Sequence, residues 1–214
     1  MVIAIDGPSG SGKTSTAKLL AKKLCYYYCD SGSLYRAVTY FLLAKDVDLK
    51  KSIDINSALK DLKIDYDVKK NLITLNDINV TQYLREDSIT NNVSRVSSVS
   101  CVRNFLISIQ RDLADYQNII VDGRDIGTTV FPNADFKFFI DAEVEVRARR
   151  RFNEFLECNI NKDYKEVLEM IKNRDSYDEN RKNSPLRKAQ DAIYIDNSDM
   201  GLEEQVLKII NYIK

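Results

Sequence analysis

Residues 2–14, Val-Ile-Ala-Ile-Asp-Gly-Pro-Ser-Gly-Ser-Gly-Lys-Thr, constrain this chain more than any other stretch. Val2 to Ile5 is a short apolar run, β-branched at three of its four positions, and reads as a buried strand that stops at Asp6-Gly7. Ser15 to Leu24 reads as a helix with Ala17, Leu20, Ala21 and Leu24 on one face. Between them, Gly7-Pro8-Ser9-Gly10-Ser11-Gly12-Lys13-Thr14 carries the spacing G-x-x-x-x-G-K-T. Glycines at this density let successive backbone N–H groups curl round an anion, while Lys13 can reach the outer phosphates of a nucleotide and the Thr14 hydroxyl can meet Mg²⁺. The helix that starts at Ser15 turns its positive end to the same anion. Residues 7–15 are therefore the expected ATP-binding segment. An ordinary strand-to-helix turn is the alternative, disfavoured because strand, loop and helix fall in the required order in a chain with only seven glycines.

A chain of 214 residues suits one α/β domain with insertions. Lys plus Arg and Asp plus Glu each total 32, so the net charge is zero, and binding to nucleic acid through phosphate neutralisation is not expected. Cys25, Cys29, Cys101 and Cys158 form no C-x-x-C pair and are read as thiols in a reducing compartment. No apolar run approaches the ~18 residues of a membrane span, so a soluble cytoplasmic protein is expected. The sequence has no histidine, which removes the usual imidazole acid, base and metal ligand. Chemistry here must work by positioning and charge.

Further along, Tyr26 to Cys29 suits a second parallel strand, and Asp30-Ser31-Gly32-Ser33-Leu34-Tyr35-Arg36 opens a helix running to about Ala44, with Ser31 or Ser33 available as its N-cap. An Arg in the first turns of such a helix faces the crevice where α/β sheets bind ligands, which makes Tyr35 and Arg36 substrate candidates. Residues 46–84 are polar with short alternations at 62–66, 72–75 and 78–80, the pattern of a small antiparallel insert. Tyr83 to Val99 and Val102 to Tyr116 read as helices. Asn118 to Asp122 is the next strand; a carboxylate at its end, Asp122, either organises Mg²⁺ or caps the turn. Phe136 to Asp141 and Ala192 to Asp196 are further strands. Val144 to Glu157, Lys165 to Arg174 and Leu202 to Ile213 are helices, the first carrying Arg147, Arg149, Arg150 and Arg151, either a solvated face or part of a mobile lid.

Four blocks together carry a specific likeness: Gly7 to Lys13; Asp30 to Arg36; Asp122 to Thr128 with Val130-Phe131-Pro132; and Arg174-Asp175 to Arg181 with Ser184-Pro185-Leu186. In this order the chain resembles the bacterial-type cytidylate kinases over nearly its whole length. The resemblance implies a three-layer P-loop NTPase fold with a five-stranded parallel sheet, an antiparallel insert and a helical lid. It implies a single kinase domain with a core at about 1–30, 101–142 and 182–214, a nucleoside-monophosphate region at about 31–100, and a lid at about 143–181. It places acceptor-phosphate contacts on Ser31, Arg36, Arg124 and Arg181, cytosine contacts on Ser94, Arg103 and Asp125, and ribose contacts on Arg174 and Asp178. Lys13, Arg124, Arg174 and Arg181 are the expected catalytic residues, and Arg147 and Arg151 the lid arginines expected to meet ATP. The match is looser at 93–103, where a Pro typical of the family near Ser100 is absent.

The implied reaction passes the γ-phosphoryl of Mg-ATP to CMP or dCMP, in a monomer. It suits the composition: a phosphate monoester with a second pKa of ~6 is already a charged nucleophile at neutral pH, and needs no general base. The cytosine 4-amino group donates to a carboxylate, which makes Asp125 a base reader, its rival role being an ion pair with Arg124 or Arg36. The alternatives are a P-loop kinase for another nucleotide or small acceptor, and a non-transferring ATP-binding switch.

Overall fold

The computed structural model describes residues 1–114 and 118–213. In chain order the first elements are β1 (Val2–Asp6), α1 (Lys13–Leu24), β2 (Tyr27–Asp30), α2 (Ser31–Ala44) and α3 (Ser52–Leu59). Then come β3 (Ile64–Asp67), β4 (Leu72–Leu75), β5 (Ile78–Asn79), α4 (Asp87–Ser97) and α5 (Ser100–Ala114). The chain ends with β6 (Ile119–Gly123), β7 (Phe136–Asp141), α6 (Val144–Glu157), α7 (Tyr164–Asn180), β8 (Ile193–Asp196) and α8 (Leu202–Ile213).

Five strands form one sheet in the order β2-β6-β1-β7-β8, with β1 parallel to β7 and β7 parallel to β8. Successive side chains of β1 point to opposite faces, yet Ile3, Ala4 and Ile5 are all fully buried. Both faces of the sheet are therefore covered, as a parallel α/β sheet requires. The expected three-layer fold with a five-stranded parallel sheet is what forms. From β6 the chain crosses β1 to reach β7, which puts the loop after β1 at the point where strand order reverses, the usual ligand crevice of such sheets.

Two compact units make up the chain, Met1–Tyr26 with Ile120–Lys214, and Tyr27–Ile119. In the second unit, α4 buries Ile89, Val93 and Val96 at i, i+4 and i+7 and packs on α2, which buries Leu34, Val38, Phe41 and Leu42. Each such side chain contributes about 1.5–3 kcal/mol on burial. The expected antiparallel insert is the sheet β3-β4-β5, in which Ile64 faces Leu75 and Tyr66 faces Ile73. Asn76 and Asp77 both take positive φ (48° and 67°), the conformation that a two-residue hairpin needs, and Asn and Asp adopt it at low cost.

Three local readings change, and a fourth is described only in part. α3 lies inside the stretch expected to hold only strands; its buried residues Ile55 and Leu59 are too few to declare a helical period. The N-cap of α2 is Asp30 rather than Ser31 or Ser33: its Oδ1 accepts from the Ser33 N–H (3.0 Å) and its Oδ2 from the Ser33 hydroxyl (2.7 Å). α7 continues past Arg174 to Asn180, so Arg174, Asp175 and Asp178 stand on consecutive turns of one helix. The helix expected over Val102 to Tyr116 is described to Ala114, and its last two residues lie outside the described residues.

Candidate active site

Gly10 and Gly12 hold φ of 73° and 81°, left-handed conformations that side chains resist, and between them the loop wraps the start of α1. Alternation of this kind aims several N–H groups at one point and makes an anion nest. Lys13 is buried beside it, with its Nζ donating to the Pro8 carbonyl (2.9 Å). At the same end Thr14 Oγ1 donates to Asp122 Oδ2 (2.7 Å), bringing a hydroxyl and a buried carboxylate together at the carboxyl ends of β1 and β6. Asp6, at the end of β1, accepts from the Ile126 and Gly127 N–H groups (2.8 Å each) and so fixes the segment after β6 against the loop. Burial pushes the Asp6 carboxyl up to about 7 against the pull of those two N–H groups.

Electrostatics mark the loop as a place for an anion. Burial, with the nearby Arg124 and Arg174 guanidiniums, pushes the Lys13 ammonium down to about 7, although Asp122 and Asp178 pull the other way. A polyphosphate on the loop restores the ammonium. Nucleotide binding at pH 8 is thus expected to take up close to one proton, roughly the fraction of Lys13 left neutral in the free protein, and affinity falls as pH rises through 7. Calorimetry of Mg-ADP binding in buffers of different ionisation heat measures this uptake. Wild-type protein showing the same proton count as Lys13→Met refutes it.

The first unit also gathers four expected substrate residues. Arg124 Nε donates to Asp178 Oδ2 (2.9 Å), Arg181 NH2 donates to Asp125 Oδ1 (3.2 Å), and Arg181 NH1 lies 3.9 Å from Asp178 Oδ1. Asp125, Asp178 and Arg181 are each less than a tenth exposed. Burial alone would raise the Asp178 carboxyl, but Arg124, Arg174 and Arg181 outweigh it and hold it below the usual range. Asp125 thus pairs with Arg181, a partner other than the two weighed from sequence.

Of the two arginines expected to meet ATP, Arg147 lies on the loop: it donates to the Ser9 carbonyl (3.0 Å) and pairs with Asp175, whose other oxygen accepts from the Ser9 N–H (3.0 Å). Arg151 points elsewhere, to Glu154 (2.7 Å) and across the Phe155 ring. Arg150 takes the place at the loop, with contacts to the Ser11 carbonyl (3.4 Å) and to Asn197 (3.0 Å). One turn of α6 carries Arg147 and Arg150 to the same side. Three consecutive arginines look alike in sequence, and only the helix phase separates them. Arg150 was named from sequence only as one of the lid arginines, and Asp175 and Asn197 were not singled out; the end of the last parallel strand was the available signal for Asn197.

In the second unit Ser31 and Tyr35 are buried in the first turns of α2. Asp30 lies against Arg36, and Arg85 donates to it at 3.4 Å; burial works to raise this carboxyl, and Arg36, Ser33 and Arg85 bring it below its usual range. Arg85 was another residue not foreseen. Arg103 is buried on α5, donating to the Ser97 carbonyl (3.0 Å) with its guanidinium 5.5 Å from the Tyr35 ring centre, while Ser94 is half-buried on α4.

A phosphate-binding loop after the central strand of a parallel sheet, with a buried lysine and a following Thr-carboxylate pair, defines a P-loop kinase fold. The fold is shared with solved structures of low identity: an uncharacterized protein from Eubacterium ventriosum (TM-score 0.54, 17% identity, covering 100% of this chain and 98% of that one) and a shikimate kinase from Bacteroides thetaiotaomicron (TM-score 0.50, 13% identity, 100% and 98%). Residues 3–214 match the cytidylate kinase family. Among the relatives are cytidylate kinases from Fusobacterium nucleatum (45% identical, 100% of this chain and 95% of the relative), Clostridium botulinum (42%, 99% and 97%) and Ligilactobacillus salivarius (43%, 99% and 96%). This chain belongs to the cytidylate kinase family.

Proposed function

We propose that this chain transfers the γ-phosphoryl group of Mg-ATP to CMP or dCMP, giving CDP or dCDP, with Lys13, Arg124, Arg174 and Arg181 carrying the transfer. As a member of its family it is a nucleoside monophosphate kinase. The observation that carries the residue assignment is the gathering at the loop of a buried Lys13, bonded to the Pro8 carbonyl, with Arg124, held by Asp178, and with Arg174; burial first, then the two guanidiniums, works to lower the Lys13 pKa. Such a site is costly empty and is relieved by polyanions.

The acceptor phosphate is already an anionic nucleophile, so no side chain has to remove a proton. The residues instead bring two polyanions together. Lys13 and the loop N–H groups, from Gly7 to Ser15, hold the donor phosphates. Arg124 and Arg181 hold the acceptor phosphate, a role the family resemblance gives also to Ser31 and Arg36, with Tyr35 a further substrate residue. Arg174 and Asp178 take the ribose. Asp125 reads the base, a role the family resemblance gives also to Ser94 and Arg103. The residues suit Mg²⁺ as well: the Thr14 hydroxyl and the Asp122 carboxylate are hard oxygen donors in contact with each other. Among the described residues no group of three or more His, Cys, Asp or Glu side chains is placed to hold a metal. When bound, Mg²⁺ neutralises charge on the donor phosphates. No helix among the described residues is long and apolar enough to cross a membrane. We assign the working unit as a monomer whose α6–α7 segment, at about 143–181, acts as a lid.

The deciding experiment measures ADP release from Mg-ATP with CMP, dCMP, UMP, AMP, GMP or shikimate as acceptor. Fast turnover with CMP or dCMP and slow turnover with UMP is expected; turnover confined to another acceptor would overturn the base-pocket assignment. Within this scheme Arg147→Ala lowers kcat by roughly 10²-fold and changes ATP affinity much less, because a cation placed on a transferring group acts chiefly in the transition state. A change in ATP affinity alone, read from steady-state kinetics and nucleotide titration, argues against that role.

A further inference from the structure

We propose that Asn197, at the end of β8, is a positioning residue that presets the phosphate-binding loop for nucleotide, with Gln205 of α8 as its anchor. The proposal rests on the assignment of that loop to the phosphates of ATP. Asn197 is 1% exposed and its amide bonds in three directions. Its Nδ2 donates to the Ser11 carbonyl (2.8 Å) and to Gln205 Oε1 (2.8 Å), and its Oδ1 accepts from Arg150 (3.0 Å). The amide orientation is unambiguous, since Arg150 can only donate and the Ser11 carbonyl can only accept. The backbone is held too: the Asn197 N–H donates to the Asp141 carbonyl at the end of β7 (2.9 Å), and the Asn197 carbonyl accepts from Arg150 (2.8 Å).

What this does to the loop follows from peptide geometry. In a trans peptide the carbonyl and the next N–H point in opposite directions. Tying the Ser11 carbonyl to Asn197 therefore turns the Gly12 N–H to the other side of the loop, the side on which an anion nest needs its donors. Gly12 has no side chain to resist that orientation, and the nearest atom to the Cβ it lacks is Asn197 Nδ2 (3.5 Å). A loop held in its binding conformation does not have to be ordered when the nucleotide arrives, so the bond acts on affinity.

Asn197→Asp is the discriminating change. It keeps the shape and the acceptor for Arg150, but removes the donor to Ser11 and faces the carbonyl with a carboxylate. Calorimetry with ADP and with inorganic tripolyphosphate is expected to give affinities roughly tenfold weaker, the scale of one lost hydrogen bond, while KM for CMP stays within about twofold. Gln205→Leu, at a side chain that hydrogen-bonds to Asn197 and not to the loop, is expected to weaken ADP about threefold through the freed Asn197 side chain, and decides the question should the Asp variant not fold. Wild-type ADP affinity in either folded variant, or losses of ADP and CMP affinity in parallel, overturns the positioning role. Lys13→Met serves as the control: normal ADP binding in that variant would overturn the loop assignment itself, and this proposal with it, whereas its loss beside an unaffected Asn197→Asp rejects Asn197 alone.

Discussion

Lys13→Met lowers phosphoryl transfer about 10³-fold and leaves the protein at least as thermally stable as wild type. The two halves of this expectation share one cause. Lys13 is buried, and burial together with Arg124 and Arg174 depresses its pKa to about 7. A lysine whose folded pKa lies below its unfolded value costs stability: the cost is in full force below 7 and is relieved as pH rises from 7 towards 10.5. Methionine keeps the stem and removes the charge, so at neutral pH the fold loses an unfavourable contribution and one hydrogen bond to the Pro8 carbonyl. Turnover suffers because the ammonium is matched to phosphate charge, and single preorganised donors of this kind are worth about 10²–10³ in kcat, cationic ones more. Steady-state kinetics and thermal denaturation at pH 7 and pH 9 test both halves. A Met variant with near-normal kcat, or one that is inactive only because it unfolds, contradicts the assignment.

Asp125→Asn is expected to collapse the preference for CMP over UMP by about 10–100-fold, mainly by admitting UMP. A carboxylate accepts from the 4-amino group of cytosine and repels the 4-carbonyl of uracil, whereas a carboxamide can turn to accept from one or donate to the other. A buried hydrogen bond lost or made is worth about 1–3 kcal/mol, which sets that range. The structure adds a complication with its own signature. Asp125 also faces Arg181 at 3.2 Å, so the Asn variant leaves a buried guanidinium with less opposing charge, and some loss of thermal stability accompanies the specificity change. Asp178 at 3.9 Å and the Ser184 carbonyl at 2.6 Å still hold Arg181. The ratio of kcat/KM for CMP and UMP separates the two effects. If Asp125 serves only to hold Arg181, both substrates decline together and the ratio stands.

The sequence by itself determined the parts of this protein that are local and periodic. The strand, glycine loop and helix at residues 2–24 are specified by a buried β-branched run, by glycines at Gly10 and Gly12 where φ must be positive, and by an apolar helical stripe; all of this is written within one turn of its neighbours. The antiparallel insert was legible for the same reason, from alternation and an Asn-Asp turn. Family membership was legible because four separated blocks keep their order along the chain. Only the tertiary structure decided which charged side chains meet. Asp125 finds Arg181 some 56 residues away, Asp175 finds the Ser9 N–H across 166, and Asn197 finds the Ser11 carbonyl across 186. Ion pairs and side-chain hydrogen bonds over such separations leave no period in the sequence, and charged residues look alike until the helix phase and sheet order place them. Arg150 rather than Arg151 reaches the loop because a residue's direction on a helix turns by about 100° per position. That rotation acts on the chemistry only once α6 is packed.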